Sequence, residues 1–297
     1  MIQSQISPEG SLLQKTINII GAGRLGQTFG HLCLQLGLIK INGVCNLSLN
    51  SAIAAIDFIG EGTPYVDISS LPHADITVIT TPDDRIEHIA SALSDSGKIR
   101  TGDIFFHCSG VLTSDALIAL KAKKAFIACL HPMQSFAEPS THTLHETYCA
   151  IEGDAQAIEV LEPIFQAIGA ITYSIEKDKK ALYHAAGVFA SNYLVTLSQQ
   201  AIQCLLQVGV DEHMAPEVVL SLMQSTLDNL KRTKSPAKAL TGPLQRGDIS
   251  ALQSHLRELL PLPKALYKAL GRATLPLTAH SRILQKKLRD LFTKTSS

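Results

Sequence analysis

The chain has 297 residues, 45% hydrophobic and 18% charged, which is long enough for two domains and too apolar for a disordered protein. Lys plus Arg and Asp plus Glu are equal at 26 each, so no net charge draws the chain to nucleic acid or to an anionic membrane. No apolar run approaches the roughly 20 residues a bilayer demands, the first ten residues lack the basic start and apolar stretch of a signal peptide, and six cysteines without a Cys-x-x-Cys pair predict a cytoplasmic protein with no metal and no disulfide framework.

The first element is a β-branched run at Ile17, Ile19 and Ile20. It stops at Gly21-Ala22-Gly23-Arg24-Leu25-Gly26, and a helix is expected over 27–38. Strand, glycine turn and helix in this order form a dinucleotide-binding unit with the G-x-G-x-x-G spacing intact. Gly21 permits the tight turn, Gly23 lets a pyrophosphate approach the backbone, and Gly26 lets helix and strand pack closely. Free N–H groups at the helix start then face the phosphates.

Strand-like and helix-like segments alternate from there to about residue 175. Strands are expected at 39–45, 76–80, 104–107, 125–130, 148–151 and 171–174, with helices at 51–59, 85–93 and 155–168. This alternation predicts right-handed crossovers and a doubly wound, mostly parallel sheet. From residue 176 strand signals vanish and helices are expected at 179–208, 212–231, 249–259, 263–270 and 276–292, punctuated by Pro and Gly. The reading is therefore an NAD(P)-binding Rossmann domain over 1–174 and an all-helical substrate and dimerisation domain over 175–297. Active sites of open α/β sheets lie beyond the carboxyl ends of the strands.

The loop after the second strand, Cys45-Asn46-Leu47-Ser48-Leu49-Asn50-Ser51, has no acid where an NAD site usually places one. Nothing there repels a 2′-phosphate, and Asn46, Ser48 and Ser51 can donate to it, with Arg24 adding charge. NADP is expected over NAD. Thr81 and Pro82 should line the nicotinamide side, while Asp83 and Asp84 fit a helix cap as well as any chemistry. Ser109 should lie close to the ring.

His107 and His131 both stand at strand ends on the ligand side, able either to deliver a proton or to cap the strand. His184, Val188 and Asn192 recur at i, i+4 and i+8, which places His184 and Asn192 on one face of a helix rich in Ala and Gly. That face suits a ligand, or equally close packing around a core histidine. Arg246 could clamp a carboxylate, or shape its turn with Asp248.

With these residues in place, the chain resembles Rossmann-like oxidoreductase-related proteins whose helical C-terminal region is a domain of unknown function (domain of unknown function 2520). GAGRLG, TPDDRI, FHCSG, LHPMQSF, YHAAGVFASNY and ALTGPLQRGD carry the resemblance over nearly the whole chain. More distantly it is similar to pyrroline-5-carboxylate reductase, 3-hydroxyacid dehydrogenases and prephenate dehydrogenase. The resemblance implies an NAD(P)-dependent fold with a helical dimerisation domain of the 6-phosphogluconate dehydrogenase C-terminal-like type. The catalytic lysine of the hydroxyacid dehydrogenases is absent; His184 stands in the comparable segment and Asn192 is similar to their neighbouring asparagine. The His-Pro-Met of prephenate dehydrogenases is matched by His131-Pro132-Met133.

The expected function is NADP-dependent reduction of a small polar carbonyl or imine. His184 is the first candidate acid, Asn192 an orienting group and His131 the runner-up, with a homodimer formed through the helical domain. Two alternatives stay open: a non-catalytic NADP(H) sensor or scaffold, and a dehydrogenase of the prephenate or pyrroline-carboxylate type.

Overall fold

The computed structural model describes residues 15–134, 138–141 and 144–293. Among them, β1 (Thr16–Ile20), β2 (Lys40–Cys45), β3 (Thr63–Tyr65), β4 (Ile76–Ile79), β5 (Ile104–His107), β6 (Phe126–Pro132), β7 (Tyr148–Gly153) and β8 (Ile171–Ser174) form one sheet. Its order is β3-β2-β1-β4-β5-β6-β7-β8. Neighbours run parallel except β6 and β7, which are antiparallel, with Leu130 opposite Ile151.

Helices α1 (Arg24–Gln35), α2 (Leu49–Ile59), α3 (Asp83–Asp95), α4 (Ile118–Lys121), α5 (Ala155–Ala167) and α6 (Lys180–Ala190) accompany the sheet. Two apolar layers result. On one face Ile17, Ile19 and Phe106 meet Phe29 of α1 and Phe165 of α5, whose rings stack at 5.2 Å. On the other, Ile79, Phe105 and Ile127 meet Ile86 and Ile89 of α3 and Leu120 of α4. Helices on both faces are what a doubly wound sheet requires, and β1, β4 and β5 read as near-continuous apolar runs because both of their faces are covered.

Sequence periodicity misses β3. Three residues containing Pro64 are too short to alternate, and proline is tolerated there because β3 is an edge strand. The expected helix over 179–208 is two helices: α6 ends at Ala190, Ser191 forms a distorted turn at φ −117° and ψ −71° whose N–H still donates to the Gly187 carbonyl, and α7 starts at Asn192.

The chain divides into compact units between Ser191 and Asn192. The first unit thus runs past 174 and takes in α6, whose Lys180 is buried.

The second unit contains α7 (Asn192–Gln207), α8 (Met214–Thr233), α9 (Pro236–Ala239), α10 (Gly242–Arg246), α11 (Ile249–Glu258), α12 (Pro261–Thr274) and α13 (Arg282–Thr293). Its small core joins Leu252, Leu275, Leu288 and Phe292. Asp248 accepts from the Ala251 N–H at 3.0 Å and caps α11, which gives the loop after Arg246 a structural role. Among the described residues no helix is long and apolar enough to cross a membrane.

Candidate active site

The glycine turn joins the carboxyl end of β1 to α1. Gly21 has φ +79°, and a Cβ there would lie 2.3 Å from Thr81 Cγ2, so only glycine fits. Gly26 is equally confined, since its Cβ would stand 2.5 Å from Thr80 Oγ1. Gly23 differs: the nearest atom to a Cβ there is the Gly21 carbonyl oxygen at 3.9 Å. The confined glycines are needed by the fold, whereas Gly23 borders open space.

Gly23 is also the N-cap of α1 and supplies no side chain to its first N–H groups, and no acid occupies the first turn. Arg24 and Leu25 open that turn. The Thr81 hydroxyl, on the other side of the turn, is buried without a hydrogen-bond partner. An open cradle, uncapped helix N–H groups and an orphaned hydroxyl fit a dinucleotide pyrophosphate and its ribose.

The loop after β2 is held more tightly than its sequence suggests. Asn46 Oδ1 accepts from the Ala22 N–H at 2.7 Å, and its Nδ2 donates to the Ser51 carbonyl at 2.9 Å. Asn46 therefore ties the second strand to the glycine turn, with one of its two amide N–H groups engaged by Ser51. Ser48 caps α2 by accepting from the Ser51 N–H at 3.3 Å, leaving an acid-free helix start beside the loop.

Pro82 precedes α3, whose first two residues are Asp83 and Asp84. No side chain caps this helix. Asp83 instead accepts from the Ser109 hydroxyl at 2.8 Å, and that hydroxyl accepts from the N–H groups of Val111 and Leu112 at 3.1 and 2.9 Å. The loops after β4 and β5 are thereby locked together.

His107 is structural. Its Nδ1 accepts from the Ser109 N–H at 3.1 Å, which leaves Nε2 to donate to the Thr113 carbonyl at 3.0 Å. Complete burial pushes its pKa down to about 4, so the ring is neutral and folds the loop after β5.

His131 and His184 come together. Their ring centroids are 6.3 Å apart, and Gly110 lies between them. A Cβ on Gly110 would stand 2.5 Å from His184 Cδ2 and 2.9 Å from His131 Nε2. The Nδ1 side of His131 faces Tyr183 Oη at 2.7 Å. Burial, then the Lys180 ammonium and then the neighbouring His184 push the His131 pKa down to about 4. Asn192 is the first residue of α7 and belongs to the second unit. Of the expected motif around His131, Ser135 and Phe136 lie outside the described residues.

Behind the histidines stands a group the sequence reading missed. Lys180, 1% exposed, places Nζ 3.1 Å from Glu152 Oε1 and 2.7 Å from Cys129 Sγ. Glu152 also accepts from the N–H and hydroxyl of Ser114, both at 2.8 Å. Cys129 in turn donates to the Ser109 carbonyl at 3.3 Å. Burial drives the thiol up to about 12, so it stays protonated and passes the hydrogen-bond chain onward. The one available sequence signal was spacing, since Lys180 stands a helical turn before His184. Its burial depends on Glu152, 28 residues away.

The fold and the open glycine cradle define a Rossmann-like protein, and residues 4–132 match the model of a Rossmann-like domain. Residues 147–274 match that of a domain of unknown function (DUF2520), so the chain joins these two domains. No curated protein sequence matches it.

Among solved structures, a Thermotoga maritima protein is 27% identical, with TM-score 0.67, covering 93% of this chain and 98% of its own. A Bacteroides fragilis protein, provisionally named an NADP oxidoreductase, is 21% identical with TM-score 0.73, covering 89% and 98%. A Plasmodium falciparum pyrroline carboxylate reductase, solved with NADP bound, is 13% identical with TM-score 0.57, covering 94% and 98%. At 21% and 13% identity these last two likenesses establish the fold alone.

Proposed function

We propose that the protein is an NADP-dependent oxidoreductase that reduces a small polar carbonyl or imine. The observation that carries the reading is the meeting of His131 Nε2 and His184 over Gly110, at the carboxyl ends of β5 and β6. That is the edge of an open α/β sheet where ligands bind. The glycine turn opens at the same edge of β1. There Gly23, Arg24 and Leu25 would receive the pyrophosphate and Thr81 and Pro82 the nicotinamide side, while Ser109 and Asp83 hold the facing loop in place.

The acid-free start of α2 beside Ser48 favours a 2′-phosphate. The bound dinucleotide supplies a hydride. The chain must supply a proton as charge develops on the substrate oxygen or nitrogen, and an imidazole at that position can do so. Between the two histidines, His131 is the proton donor, because Tyr183 fixes its ring, and His184 stands beside it to orient the substrate.

The test is NADPH oxidation against a panel of small 2-oxo acids and cyclic imines. His131→Asn should lower kcat by roughly 10²-fold or more with NADPH affinity unchanged, and His184→Asn should act mainly on KM. Absence of turnover across the panel, or tighter binding of NADH than of NADPH in calorimetry, would refute the reading.

A further inference from the structure

The loop after β5 leaves one buried backbone donor unused. The N–H of Ser109 donates to His107 Nδ1, and those of Val111 and Leu112 donate to the Ser109 hydroxyl. Gly110, between them, is buried, and its N–H has no partner among the described residues. Buried amides of this kind are rare, because the N–H loses its water and gains nothing in return. The peptide that carries it is held from its other end. The Ser109 carbonyl accepts from the Cys129 thiol at 3.3 Å, and that sulfur accepts from the buried Lys180 ammonium at 2.7 Å. The Ser109–Gly110 bond is trans, so its N–H points opposite to its C=O, away from Cys129. A Cβ on Gly110 would stand 2.9 Å from His131 Nε2, and the Gly110 nitrogen shares the same Cα, which places it within about 5.5 Å of Nε2.

We propose that the Gly110 N–H and the Nε2 proton of His131 together bind the oxygen of a carbonyl substrate, so that the reducible group is a ketone or 2-oxo acid and not an imine. The proposal rests on the reductase reading above and chooses between its two substrate classes.

Two donors within that span can meet on one acceptor, since each hydrogen bond reaches about 3 Å. A carbonyl oxygen has two lone pairs and accepts from both, whereas an imine nitrogen has one. As hydride from the bound dinucleotide adds to the carbonyl carbon, the C=O electron pair moves onto oxygen. The Gly110 N–H stabilises that charge and transfers nothing. The oxygen takes its proton from His131, which recovers one from solvent, so the dinucleotide is oxidised and the carbonyl becomes an alcohol. A fixed amide at the point where charge develops needs no reorganisation as the reaction proceeds. Lys180 adds to the effect through Cys129. Its donation to the thiol, passed on to the Ser109 carbonyl, polarises the peptide and makes the N–H a better donor. Lys180 and Cys129 are thus positioning residues that act through the Ser109–Gly110 peptide.

Measurements on the full-length protein test this. Replacing Gly110 by glycolic acid turns the N–H into an ester oxygen and alters no side chain. It should lower kcat with phenylpyruvate and NADPH by roughly 10²-fold or more, with NADPH affinity and melting temperature nearly unchanged. Cys129→Ala, which removes the donor to Ser109, should lower kcat several-fold, and Cys129→Ser, whose hydroxyl can accept and donate in the same way, should restore it. This pair decides the matter if the ester protein is poorly folded. In 15N-labelled protein with NADP+ bound, phenylpyruvate should move the Gly110 amide proton downfield, as a new hydrogen bond does. The unaltered protein should show a higher kcat/KM with phenylpyruvate than with 2-methyl-1-pyrroline. Unchanged kcat in a folded ester protein, equal kcat in the two Cys129 variants, an unmoved Gly110 amide at saturation, or a preference for the cyclic imine overturns the proposal and leaves the reductase standing. No turnover of either compound overturns the reductase, and the proposal with it.

Discussion

At the residue scale, the glycines of one motif serve different ends, and the difference is measurable. Gly21 is locked by φ +79° and by Thr81, whereas Gly23 faces open space with φ −83°. Gly21→Ala should therefore destabilise the fold by on the order of 2 kcal/mol or more, through a strained backbone and a clash. Gly23→Val should leave the melting temperature nearly unchanged and abolish NADPH binding, because its side chain fills the space a pyrophosphate needs. Paired thermal melts and calorimetry separate the two. Equal loss of stability in both variants would mean that Gly23 is also a packing residue. The glycine spacing was legible in sequence; which glycine the fold needs and which borders a ligand was not, because Thr81 and Gly21 are brought together only by the pairing of β1 with β4. Asn46 shows the same limit. Its place in the second loop was readable, but its role as a strut depends on Ala22.

At the element scale, α6 is attached to the sheet by a buried ion pair. Lys180 is buried against Glu152 of β7 and Cys129 of β6, and the same helix presents Tyr183 and His184 to His131. Removing one partner leaves an unpaired buried charge, so Lys180→Met should cost roughly 3–5 kcal/mol of stability. Glu152→Gln should be similarly harmful. The double variant Lys180→Met with Glu152→Gln should recover much of the loss, since both charges are then gone. Chemical denaturation of the four proteins closes the cycle, and additive losses would show that the pair is not coupled. The lysine's charge also opposes protonation of His131, so in a folded Lys180→Met protein the His131 pKa should rise above its value of about 4, which histidine NMR can follow. Sequence periodicity located α6 but ran it into α7, because nothing in local propensity marks the break at Ser191.

At the scale of the whole molecule, the second unit carries more apolar surface than one chain covers. None of the 16 residues of α7 is buried, although the helix contains Leu194, Leu197, Ile202, Leu205 and Leu206. On α8, Leu220 and Leu222 are 59% and 69% exposed. A cleft of about 670 Å³ opens among α7, α11 and α12, lined by Leu197, Ala201, Leu259, Leu266 and Leu270. Exposed apolar helices of this extent mark an association surface, and the proposal is a homodimer formed through this unit. Light scattering at low micromolar concentration should give twice the chain mass, and Leu222→Glu on α8 should lower it toward one chain without loss of helical circular dichroism. A monomer in the unaltered protein would dismiss the dimer.

The sequence by itself determined the elements whose signals are local: the glycine turn after β1, the alternation that builds a doubly wound sheet, and the change to helices beyond it. It also nominated His107, His131 and His184, because histidines at strand ends and on a small-residue helix are conspicuous. Only the tertiary structure separated their roles. His107 became a loop brace once Thr113 and Ser109 took both of its nitrogens, whereas His131 met His184 across Gly110 and Tyr183 behind it. The Lys180–Glu152 pair and the Tyr183 hydroxyl at His131 were likewise invisible in the linear chain. Hydrogen bonds and burial act over a few ångströms, and the partners that decide a histidine's proton are 52 residues apart in sequence for His131 and Tyr183.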